Sequence, residues 1–161
     1  MKMKKIMGFV LILALMLTVF VGCKVEENAT TQEAVWTISV AGIKDEAISF
    51  TDLDAEEIGV KEIKATMKKK DGSEKEQTWK GYGLKEVLEQ LGAGEYNSVT
   101  VEAVDGYGKE LTKDLVISEG TILGVMVDGE ALKEDNRVQL VINGKGSNWW
   151  IKGVAKIKVI K

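Results

Sequence analysis

The side chains that most often make and break bonds are nearly missing from this sequence. Its 161 residues include no histidine and a single cysteine, Cys23. Serine–histidine and cysteine–histidine catalytic pairs and imidazole metal sites are therefore excluded. Acids are plentiful, yet Glu56-Glu57 and Glu130 with Glu134 read as solvated surface charge rather than paired catalytic carboxylates. Asp128 and Asp135 lack the spacing and ligand number of a calcium loop. Gly144-x-Gly146 is followed by a strand, not by the helix that a nucleotide-binding glycine loop needs. What remains is recognition chemistry. Between Asn143 and Lys152 two turn glycines stand beside Trp149-Trp150 and the base Lys152, a combination suited to stacking or apolar contact on a loop. The competing reading packs both tryptophans into the core or against each other.

The elements that must position this loop are strands. Val138–Ile142 and Ala155–Ile160 flank it and are rich in Val and Ile, so they should carry it to the end of a sheet. Upstream, Trp36–Val40 alternates apolar and hydroxyl residues, and Ile48–Phe50 is a second extended piece. Thr51 is placed to cap a helical turn over Asp52–Glu56. Val60–Lys68 and Glu74–Lys80 read as a hairpin turned at Asp71-Gly72, with Lys68-Lys69-Lys70 at a solvated tip. Gly81-Tyr82-Gly83 interrupts the pattern. Leu84, Val87, Leu88 and Leu91 then recur at helical spacing up to Gly92, giving one main amphipathic helix that must lie on the sheet. Ser98–Val104 is a strand turned by Asp105-Gly106-Tyr107-Gly108. Ile122–Val127 is apolar throughout, hence central, and Asp128-Gly129 turns it into Glu130-Ala131-Leu132. The sum is an α+β, mainly β, compact mixed-sheet fold in a single domain over residues 35–161.

The first residues have a different character. Lys2, Lys4 and Lys5 precede an apolar run, Ile6–Val21, shorter than the ~20 residues that span a bilayer. Phe20-Val21-Gly22-Cys23 closes it and resembles the lipobox of bacterial lipoproteins, with Phe20 where leucine is usual. The expectation is a signal peptide over residues 1–22, lipidation at Cys23, and a polar tether over residues 23–34. Acyl chains contribute roughly 0.8 kcal/mol per buried methylene, so two or more hold a protein to a membrane stably. This puts the body on the outer face of the cytoplasmic membrane or on another envelope membrane. Past the leader, 19 of the 22 basic residues remain against 25 acids, an acidic balance that argues against a nucleic-acid partner.

The order of motifs across the body is specific. Trp79-Lys80-Gly81-Tyr82-Gly83-Leu84, Val104-Asp105-Gly106-Tyr107, Val127-Asp128-Gly129-Glu130-Ala131-Leu132, Val138–Gly144 and Lys152–Val159 together resemble the molybdopterin-binding domain of the sulfite oxidase family. The resemblance runs from Trp36 to Lys161 and implies a molybdopterin cofactor and oxidoreductase chemistry. It also implies which residues would hold that cofactor. The family lysine that reaches the pterin phosphate falls on Lys152. Its two arginines fall on Gln139 and Trp149, its loop proline on Asn143, and its metal-ligating cysteine near Ala65-Thr66-Met67, where there is none. Arginine forks and a thiolate are the donors such a group needs. The leader has no paired arginines, and so resembles the export route that threads chains unfolded and empty.

The expectation is therefore no resident cofactor, no metal and no catalytic residue. The old cofactor mouth, near Tyr107, Asn143, Lys145, Asn148, Trp149, Trp150 and Lys152, would serve a small ligand or a partner protein instead. An extracytoplasmic molybdopterin-dependent oxidoreductase and a structural or adhesive surface module are the alternatives.

Overall fold

The computed structural model describes residues 33–161. The leader, Cys23 and the tether up to residue 32 lie outside the described residues. Eleven strands, three short helices and a 3-10 turn follow in chain order. β1 (Thr37–Ala41), β2 (Ile48–Thr51) and α1 (Asp52–Ala55) come first, then the hairpin β3 (Lys61–Lys68) and β4 (Glu74–Gly83), then α2 (Leu84–Gln90). β5 (Ser98–Ala103), β6 (Gly108–Thr112), α3 (Lys113–Val116), β7 (Thr121–Val127) and β8 (Glu130–Ala131) follow. β9 (Gln139–Ile142), the 3-10 turn Ser147–Trp149, β10 (Ile151–Lys152) and β11 (Val154–Ile160) complete the chain. No helix among the described residues is long and apolar enough to cross a membrane.

Two sheets share one core. The first runs β2-β1-β11-β5-β6, and the second β10-β9-β7-β4-β3 with β8 on the far end of β7. Every pairing is antiparallel except β1 with β11, where the first and last strands of the domain lie side by side. Val40, Phe50, Val101 and Ile157 from the first sheet meet Leu123, Leu140 and Ile142 from the second in the main cluster. Leu84, Val87 and Leu88 of α2 join it, so the helix lays its apolar stripe into the core as its spacing requires.

The second sheet is buried on both faces at its centre. Leu123 and Leu140 point into the main core, whereas their neighbours Ile122 and Val141 point outward into a second cluster with Ala65, Trp79 and Trp150. That is why β7 and β9 are apolar without alternation. It also makes the outer face of this sheet, not only its loops, a place where chemistry can be housed.

Several local expectations are met. Thr51 caps α1 with a reciprocal box, its hydroxyl accepting from Asp54 N at 3.3 Å while its own N–H donates to Asp54 Oδ2 at 2.8 Å. α2 stops before Gly92, which takes φ +80°. β7 is central, between β9 and β4.

Others need correction. Gly81-Tyr82-Gly83 does not interrupt β4. The strand runs through it with a register shift between Lys80 and Gly81, because a side chain at Gly81 would collide with Leu123 O, 2.1 Å from its Cβ position. β6 and α3 carry no clear sequence signal. β6 is an edge strand whose one buried residue is Leu111, too little alternation to mark a strand.

Candidate functional site

The loop after β9 is not a flexible appendage. Asn143 Oδ1 accepts from Thr66 N at 2.8 Å, Gly144 N donates to Thr66 O at 2.8 Å, and Lys68 N donates to Lys145 O at 3.0 Å. Three bonds thus strap the loop onto the free edge of β3 and satisfy backbone groups that an edge strand would leave bare. The Asn143 side chain therefore latches the loop to β3. Past the strap, the 3-10 turn throws Trp149 and Trp150 to different places. Trp150 is 6% exposed, packs edge-on against Trp79 with ring centroids 5.8 Å apart, and donates Nε1 to Ile142 O at 3.0 Å. Trp150 thus packs as a core residue. Trp149 stays half-buried, and the two indoles do not stack on each other.

The outer face of the second sheet holds a cavity of about 400 Å³, walled by Met67, Val127, Leu132, Trp79 and Trp150 and lined with polar groups at Lys75, Gln77, Asn136, Gln139, Ser147 and Lys152. The strand register assembles it. Met67 pairs with Lys75, Ala65 with Gln77, and Ile63 with Trp79, so alternate residues of β3 and β4 share one face. Lys152 of β10 pairs with Gln139 of β9, and both line the cavity. Trp79 lies flat against Gly124, where any added Cβ would sit 2.6 Å from Trp79 Cε3.

Gln139 is 6% exposed and held in one orientation. Gly153 N donates to Asn136 Oδ1 at 2.8 Å, which leaves Asn136 Nδ2 to donate to Gln139 Oε1 at 3.3 Å. The Gln139 amide nitrogen is then free to donate at the cavity wall. Gly153 takes φ +62° with Asp135 O 2.6 Å from where a Cβ would be, so the relay depends on a glycine there. Trp79 Nε1 is buried and has no acceptor in the protein. At the cavity's edge, Asp128 accepts from Thr78 N at 2.8 Å and Gln77 Nε2 at 3.2 Å, and those bonds hold its carboxyl below its ordinary pKa.

Tyr107, Lys145, Asn148 and Trp149 form a separate group on the surface. Tyr107 Oη donates to Asn148 O at 2.7 Å. Lys109 Nζ lies 5.8 Å from the Tyr107 ring centre and 5.6 Å from that of Trp149, and Lys145 Nζ is 5.8 Å from Trp149 on its own approach. The residues expected to share one mouth thus divide. Trp150 and Lys152 line the cavity, Asn143 straps the loop, and the other four stabilise one another outside. Gln139, Lys75, Gln77 and Trp79 were not among the binding candidates, although period-two reading of β4 puts Lys75, Gln77 and Trp79 on one face.

A family model for the oxidoreductase molybdopterin-binding domain matches residues 26–161. The chain belongs to that family. The solved sulfane dehydrogenase SoxCD from Paracoccus pantotrophus has the same fold, with a TM-score of 0.65 over 78% of this chain at 18% identity. This chain corresponds to 38% of the length of that one. Among curated proteins no sequence matches.

The positions that the family resemblance assigns to the cofactor can now be placed. Gln139, Lys152 and, from the stretch Ala65-Thr66-Met67, Met67 line the cavity, whereas Asn143 and Trp149 do not. Their chemistry does not suit a metal–pterin. A thiolate is missing, since the sequence's only cysteine is Cys23. An amide and an indole stand where guanidinium forks are needed.

Proposed function

We propose that this molybdopterin-domain protein is exported, lipidated at Cys23, and works at an envelope membrane as a non-catalytic binding module. The observation that carries the reading is the donor set of the outer-face cavity. Where the family resemblance expects an arginine this chain lines the cavity with Gln139, the stretch Ala65-Thr66-Met67 offers no cysteine, and of the expected cofactor donors the lining keeps only Lys152. A lysine alone is a point charge on a flexible stem and cannot fix a phosphate bidentately. The cavity persists, however, with an aromatic wall and a pre-oriented amide, which is the composition of a small-molecule site. No catalytic step is assigned to any residue.

Two measurements test the two halves of this reading. Cell fractionation should find the wild-type chain in the membrane and Cys23→Ser in the soluble fraction. Recovery of Cys23→Ser in the membrane contradicts the anchor. Protein extracted from its native membrane should absorb only as its tryptophans and tyrosines do. A visible band from a metal–sulfur chromophore contradicts the binding-module reading and favours the oxidoreductase.

A further inference from the structure

We infer that the outer-face cavity binds a small organic anion with a flat apolar body, of the aryl or heteroaryl carboxylate class. This inference deepens the binding-module reading and rests on it.

The first argument is charge. Lys75 and Lys152 both line the cavity, and no carboxylate does. Neither lysine forms a salt bridge among the described residues, although five other lysines do. Asp128, outside the lining, accepts from Thr78 N and Gln77 Nε2 and is also held down by the charge of Lys75, so it offsets part of that lysine's field. The lining itself carries only positive formal charge, which favours anions.

The second argument is donor geometry. Gly153 and Asn136 fix the Gln139 amide so that its nitrogen, not its oxygen, is offered at the wall. That nitrogen only donates and a carboxylate only accepts, so the two are matched.

The third argument is shape. Trp79, Trp150, Met67, Val127 and Leu132 give the cavity an apolar wall, and its ~400 Å³ suits a ligand of one or two rings. An inorganic anion would leave that wall wet, and a purely apolar ligand would leave the lysines and amides uncompensated.

The test uses the full-length protein in neutral detergent and three probes that share an indole ring: indole-3-acetate, tryptophol and tryptamine. Equilibrium dialysis at low salt should show saturable 1:1 retention of indole-3-acetate, weaker retention of tryptophol and none of tryptamine. The Lys75→Met/Lys152→Met variant should keep its melting temperature and lose about tenfold or more in affinity for indole-3-acetate. Gln139→Leu should weaken it as well, whereas Tyr107→Phe, outside the cavity, should not. Equal retention of the three probes, preference for tryptamine, or no retention of indole-3-acetate overturns the inference. The two failures are distinguishable. Bound molybdenum defeats the functional reading whatever the indoles do, while a metal-free protein that ignores indole-3-acetate defeats the anion assignment alone.

Discussion

Trp150 and Trp149 are neighbours in sequence with opposite duties. Trp150 is buried among Ala65, Trp79, Ile122 and Val141, so Trp150→Ala leaves a cavity under the second sheet. Large-to-small changes of this kind cost about 3–5 kcal/mol, and chemical denaturation should show a loss of that size. Trp149 is half-exposed between two lysines. Its replacement should cost far less. Gly124→Ala tests the same packing from the other side, since the new methyl would press on Trp79 and should cost about 1–3 kcal/mol. The sequence places both tryptophans on one loop and cannot by itself say which turns inward. That choice is made by the 3-10 turn and by the carbonyl of Ile142, which gives the Trp150 indole its acceptor. Lys152 was legible as a candidate because the family resemblance names it. Lys75 was not, because its place in the cavity lining follows from strand register with Met67 rather than from any motif.

Strands supply most of the cavity. β3, β4, β7, β9 and β10 give Met67, Lys75, Gln77, Trp79, Val127, Gln139 and Lys152, and the connections add Leu132, Asn136, Ser147 and Trp150, while the loop between β9 and β10 is tied to the edge of β3. Asn143→Ala removes the side-chain half of that tie. It should cost about 1–2 kcal/mol and speed hydrogen exchange at the Thr66 amide, with little change at the centre of β7. Unchanged exchange at Thr66 would show that the backbone bonds alone hold the loop. Most of the fold was readable at this scale. The β3–β4 hairpin, the α2 stripe, the capped turn at Thr51 and the central β7 all follow from turn chemistry and periodicity. Elements with little buried surface were not: β6, α3 and the two-residue β10 exist because a neighbouring strand or helix offers them bonds. The apparent break at Gly81-Tyr82-Gly83 hid a strand whose glycines allow close approach to β7.

The groups whose protonation the fold visibly biases are carboxylates and lysines. Lys61 donates to Glu86 and Glu119, linking β3 to the start of α2 and to the turn before β7. Burial pushes the Glu86 carboxyl up, but the hydrogen bond from Lys61 and its backbone partners bring it below its ordinary value; Lys61 is raised in turn. Asp71, Glu95 and Asp128 are lowered as well, and Lys113 is raised by Glu95. A lowered carboxyl contributes stability above its unfolded pKa and loses it as pH falls through the folded value. A raised lysine contributes below its unfolded pKa and loses it as pH rises through the folded value. With no histidine to titrate, the melting temperature should be flat from about pH 5.5 to 9 and fall on either side. A step near neutral pH would contradict this account.

The central claim, that a molybdopterin-binding fold here has given up its metal–pterin for an anion-selective cavity, is open to one direct measurement. Elemental analysis of the protein purified from its native membrane gives the molybdenum content per chain. The account predicts a ratio indistinguishable from zero in protein that is folded and membrane-bound. One molybdenum per chain would contradict it.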